Sequence, residues 1–113
     1  MTNLRTGGRV LVDQLVIQGC DRIFTVPGES FLAVLDALHD EPQIQTVVCR
    51  QEGGVGFMAC ADGALTQRPG VAFVTRGPGA TNASIGVHVA KKYTTTHFIA
   101  VRQPSDVQDF SRN

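Results

Sequence analysis

Three short segments of this 113-residue chain hold residue types that could do chemistry. The first is Cys49-Arg50-Gln51-Glu52-Gly53-Gly54, where an acid follows the apolar run Thr46-Val47-Val48 and precedes a glycine pair. The end of a parallel strand is where α/β folds place their chemistry, and apolar neighbours suit a carboxyl that handles a proton. Taken alone, the position more often holds an acid that only complements a helix N-terminus. The second segment is Arg76-Gly77-Pro78-Gly79-Ala80-Thr81-Asn82. Backbone N–H groups where a strand turns into a helix can hold an anion. Its spacing is close to a dinucleotide fingerprint, but Asn82 replaces the last glycine, and Arg102 stands near the place where an acid is required. No Gly-Lys-Ser/Thr follows, so it is not a P-loop. The third segment, Val26-Pro27-Gly28-Glu29-Ser30, reads as a tight turn with a serine helix cap.

The elements that would position these segments alternate. Thr6 can cap a helix reaching about Gln18, with Leu11 and Leu15 on one face and Gly19 as its stop. Arg22–Val26 is a short strand. Ser30 is expected to cap a second helix carrying Phe31, Leu32, Leu35 and Leu38 at helical spacing. Gln45–Val48 is the second strand. A third helix runs from about Glu52 to Thr66, with Met58, Ala61 and Leu65 on one face. Val71–Thr75 is an unbroken apolar strand, as parallel sheets covered on both faces require. A fourth helix reaches about Ala90, and Phe98–Val101 is a last strand. Short connections between alternating elements predict a single α/β domain: a parallel sheet of about four to five strands with helices on both faces. Three strand-to-helix turns would then line one rim of the sheet, and this clustering is the argument for a site there.

Bulk properties set limits. Ten basic and ten acidic residues cancel, which gives no electrostatic case for nucleic acid or an anionic membrane. No apolar run reaches the length of a membrane span, and the first residues lack the apolar core of a signal peptide, so a cytoplasmic protein is expected. Cys20, Cys49 and Cys60 form no C-x-x-C pair, and His39, His88 and His97 show no metal-ligand spacing. Reduced thiols and structural histidines follow, and no metal site is expected within the chain.

Taken together in order, several motifs resemble the N-terminal, pyrimidine-binding domain of thiamine diphosphate-dependent enzymes of the acetolactate synthase type. They are Thr6-Gly7-Gly8, Val26-Pro27-Gly28-Glu29, Arg50-Gln51-Glu52-Gly53-Gly54, Met58-Ala59, Arg68-Pro69-Gly70-Val71 and Thr75-Arg76-Gly77-Pro78-Gly79-Ala80-Thr81-Asn82. The match spans residues 1–101, is best over 6–90, and leaves a polar tail at 102–113. The resemblance implies that Glu52 meets the pyrimidine N1′ of thiamine diphosphate and favours the imino tautomer, whose nitrogen then takes the thiazolium proton. Aspartate would be one methylene short, and glutamine could not exchange the proton. The resemblance further implies that Val26, Pro27 and Gly28 lie against the ring, and that Thr81 and Asn82 stand near the cofactor and a subunit interface. Gly77–Asn82 then need not bind phosphate.

The family's Gly-Asp-Gly…Asn motif, which holds Mg²⁺ and the diphosphate, has no counterpart here: Asp62-Gly63 falls within a helix. Mg²⁺ is therefore expected only through the diphosphate-binding domain of a partner subunit or split-gene product, in a homo- or hetero-oligomer. Met58-Ala59-Cys60, Tyr93-Thr94-Thr95-Thr96 and Arg102 depart from the family pattern. The first reading is a component of a 2-keto acid decarboxylase or carboligase that is incomplete alone. The alternative is a non-catalytic truncated fragment or interaction module that keeps only the fold. A small nucleotide-binding protein rests on Gly77–Asn82 alone.

Overall fold

The alternation of helix and strand signals becomes a three-layer α/β/α arrangement in the computed structural model, which describes residues 5–92 and 98–101. The elements in order are α1 (Gly7–Ile17), β1 (Arg22–Thr25), a 3₁₀ turn (Glu29–Phe31), α2 (Leu32–His39), β2 (Gln45–Val48), α3 (Glu52–Thr66), β3 (Gly70–Phe73), α4 (Pro78–Lys92) and β4 (Phe98–Val101). The sheet is parallel throughout, in the order β2-β1-β3-β4. Leaving β1, the chain first adds β2 on one side and then returns to place β3 on the other. The point between β1 and β3 is therefore the topological switch, the crevice where open α/β sheets bind ligands.

Local chemistry explains where the elements begin and end. Thr6 caps α1 by accepting the Arg9 N–H at 3.0 Å, and Gly19 leaves the helix at φ +88°, a conformation that favours glycine. The Gln51 side chain caps α3 by accepting the Gly54 N–H at 3.3 Å, and Gln67 ends that helix in the left-handed region at φ 59°. The strands hold two cores apart. On one face, Ile23, Val71 and Phe73 meet Val12 of α1 and Val34 and Leu38 of α2, with the Phe31 and Phe73 rings 5.9 Å apart. On the other face, Phe24, Ala72 and Val74 meet Val55 and Ala59 of α3 and Ala83 of α4. Complete burial of β3 is what its unbroken apolar sequence predicts.

Two expectations are corrected, and a third is completed by its burial. Ser30 does not cap α2: that helix starts at Leu32 without a side-chain cap, and Ser30 sits within the 3₁₀ turn. Leu32, expected on the apolar stripe, is 60% exposed, and Val34 and Ala37 are buried in its stead. Met58, Ala61 and Leu65 do share a face of α3, but it is the outer one; the helix buries Gly53, Val55, Gly56, Ala59, Cys60 and Gly63. Glycine is the cause. Two glycines at a helix crossing let backbones approach closely, so the small-residue face packs inward and the bulky side chains are left outside. The departures at Tyr93–Thr96 and Arg102, His97, and the tail at 102–113 lie outside the described residues.

Candidate functional site

Three strand exits meet at the C-terminal rim of the sheet, and each brings one of the segments singled out in the sequence. The exit of β2 is anchored to β1 by the Cys49 N–H, which donates to the Thr25 carbonyl at 2.8 Å. Glu52 opens α3 two residues after Arg50, and an acid there complements the positive helix end. Gln51 lies across the N-terminus of this helix. A β-carbon at Gly53 would come to 2.6 Å from its Oε1, so glycine lets the cap close without displacing that side chain.

Glu52 is half-buried and meets α4. Its Oε1 accepts a hydrogen bond from the Asn82 side-chain amide at 3.3 Å. Its Oε2 lies beside Gly79, where a β-carbon would stand 3.4 Å away, and accepts no hydrogen bond among the described residues. One carboxylate oxygen is thus oriented by the protein and the other is available at the rim.

The exit of β1 closes on the exit of β3. A β-carbon at Gly28 would stand 2.6 Å from Thr75 Cβ, and the Ser30 and Thr75 hydroxyls are 2.9 Å apart. The Arg76 N–H donates to Ser30 Oγ at 3.3 Å. Val26 is half-buried against the α3–α4 core, Gly28 is half-buried, and Pro27 is exposed. Thr81 is exposed and its side chain makes no hydrogen bond among the described residues, so the structure unites Glu52 with Asn82 but not with Thr81. Ser30 and Thr75 were missed as site-building residues. Ser30 looked like a cap and Thr75 like the end of a strand, and no sequence signal distinguishes a hydroxyl aimed at its own helix from one aimed at another turn.

The glycine-rich start of α4 offers little to a phosphate. Pro78 has no N–H, the Ala80 N–H donates to the Thr75 carbonyl at 2.8 Å, and the Thr81 N–H donates to the Gly77 carbonyl at 3.0 Å. These bonds use two of the donors that an anion would need. The expectation that this segment need not bind phosphate agrees with that geometry. Among the described residues no group of three His, Cys, Asp or Glu side chains could hold a metal, and no helix is long and apolar enough to cross a membrane.

A cavity lies at the opposite rim, between Leu15, Cys20, Arg22, Asp62 and Arg68. Its walls are closed by the ion pairs Arg22–Asp62 at 3.0 Å and Arg68–Asp21 at 3.2 Å. Burial pushes the Cys20 thiol up, away from the reactive thiolate. Paired charges and a protonated thiol make this a structural seam between the α1–β1 and α3–β3 connections. The three cysteines form no disulfide.

Comparison with known proteins gives the chain its family. The family model described as "Thiamine pyrophosphate enzyme, N-terminal TPP binding domain" matches residues 5–109. An acetolactate synthase of Bacillus subtilis is 47% identical over 85 residues, which cover 74% of this chain and 15% of that protein. The acetolactate synthase isozyme 3 large subunit of Escherichia coli is 39% identical over 85 residues, 75% of this chain and 15% of that subunit. The mitochondrial acetolactate synthase catalytic subunit of Saccharomyces cerevisiae is 39% identical over 77 residues, 68% of this chain and 11% of that protein. The matched region is thus a small part of each of these relatives.

Proposed function

This chain belongs to the thiamine pyrophosphate enzyme N-terminal TPP binding domain family, and we propose that it binds the aminopyrimidine ring of thiamine diphosphate at the rim built by Glu52. The observation that carries the reading is the split use of the Glu52 carboxylate: Oε1 is engaged by Asn82, and Oε2, beside Gly79, accepts no hydrogen bond among the described residues. This donor set fits a ring nitrogen that shares a proton with an acid. Glu52 Oε2 is the atom that would hold the proton at N1′. The half-buried Val26 and Gly28, with exposed Pro27, would supply the apolar contact to the ring. Thr81 and Asn82 stand on the α4 side, and Asn82 orients the acid rather than touching the ring first.

Thiamine diphosphate, when bound, supplies an electron sink for carbon–carbon bond chemistry on 2-keto acids. The part of this chain in such chemistry is to orient the pyrimidine and hold one proton. The diphosphate and its Mg²⁺ require a Gly-Asp-Gly…Asn motif that these residues do not include, so a diphosphate-binding domain of a partner would complete the site. The complete activity would be that of an acetolactate synthase-like carboligase or decarboxylase.

Titration calorimetry with thiamine diphosphate and Mg²⁺ tests the reading, first on the chain alone and then with a diphosphate-domain partner. Binding in the mixture is expected. Glu52→Gln in the reconstituted complex should keep most of the binding and lose turnover by about 10²-fold or more, the usual scale for a lost proton-transfer group. Turnover unchanged in that variant, or no binding in either setting, would reject the reading.

A further inference from the structure

Thr75 leaves β3 and stands between two turns that are distant in sequence. Its hydroxyl faces the β1 exit: Oγ1 is 2.9 Å from Ser30 Oγ, and Gly28 packs so closely that its missing β-carbon would stand 3.0 Å from the same oxygen. Its methyl faces the start of α4. A β-carbon at Gly79 would stand 2.7 Å from Thr75 Cγ2, and 3.4 Å from Glu52 Oε2. The two branches of one side chain therefore serve the two halves of the rim. A single χ1 torsion sets both, because a β-branched side chain is stiff about that bond.

We infer that Thr75 is a positioning residue that holds the Val26–Gly28 turn and the Glu52–Asn82 pair in one fixed frame. This deepens the proposed function and rests on it, since the two halves would contact one pyrimidine ring. The requirement is specific to threonine. Serine keeps the hydroxyl and loses the methyl; valine keeps the shape and loses the hydroxyl. Each variant thus releases one half of the rim and retains the other.

Spectra and amide exchange of the ligand-free full chain separate the two branches. In Thr75→Val, the Arg76 amide, which donates to Ser30 Oγ, should exchange about fivefold faster or more, as the loss of one supporting hydrogen bond implies. The Asn82 side-chain amide signals should stay in place. In Thr75→Ser, Arg76 should keep its protection, while the Asn82 side-chain and Glu52 backbone signals move. Perturbation of the same residues in both variants, or of neither set, overturns the inference. Calorimetry then asks whether both variants bind thiamine diphosphate more weakly than the wild type, by about fivefold each. Equal affinity overturns the role toward the cofactor. A wild type that binds none, alone or with the diphosphate-domain partner, overturns the functional reading itself, and the ligand-free spectra still decide whether the coupling exists.

Discussion

Glu52 and Asn82 are 30 residues apart in the chain, yet their side chains meet at 3.3 Å. Glu52 was legible as a candidate at the end of an apolar strand, and Asn82 through the family resemblance. That they touch each other was not legible, since it depends on how α3 and α4 cross. Ser30 shows the same limit. A serine before an apolar helical stripe reads as a cap, but its hydroxyl bonds across the rim to Thr75. Elsewhere, Arg9 joins Asp13 at 2.7 Å and Glu41 at 2.7 Å, tying α1 to the end of α2. The Arg9 guanidinium, with help from Arg5, holds the Asp13 carboxyl below its usual range; Arg9, with help from the Gln43 N–H, does the same for Glu41. Carboxyls depressed in the folded state add stability that is present above their unfolded values, about 3.9 for Asp and 4.3 for Glu, and that is lost as pH falls through the folded values. Arg9→Gln should therefore lower the urea midpoint at pH 6 and narrow its difference from the wild type below about pH 4. An unchanged gap between the two proteins across that range would contradict the assignment.

At the scale of elements, the glycines of α3 and α4 decide the second layer. A β-carbon on Gly86 would stand 2.5 Å from Gly56 Cα, which is backbone and cannot move aside. Alanine is the better helix former by about 1 kcal/mol, but overpacking costs about 1–3 kcal/mol. Gly86→Ala should therefore destabilise the chain by up to about 2 kcal/mol net in urea unfolding. Gly54→Ala, with open space around the position, should be neutral or slightly stabilising. Equal effects at the two positions would contradict close backbone approach at the crossing. The crossing also explains why the bulky face of α3 is the outer one. Helical periodicity identifies which residues share a face, and Met58, Ala61 and Leu65 do. It does not say which face packs when the opposite one is built from glycine and alanine.

For the molecule as a whole, the outward turn of those side chains has a consequence. Phe57, Met58 and Leu65 of α3, and Ile85 and Val87 of α4, are all more than 40% exposed, on two helices that pack together over one face of the sheet. Large exposed apolar side chains in such numbers mark association surfaces. The chain is expected to self-associate, which would appear as a concentration-dependent sedimentation coefficient; a single monomeric species at high concentration would contradict it. The amino-acid sequence by itself determined the alternation of elements, the parallel sheet and the motifs that reach its rim, because strand and helix periodicity and turn residues act locally. It also determined the family, through several motifs in register. Only the tertiary structure decided that Asn82 engages Glu52, that Thr75 stands between both halves of the site, and that the glycine face of α3 is the inner one. Each of these depends on how closely two backbones distant in sequence approach, a distance set by the packing of whole elements.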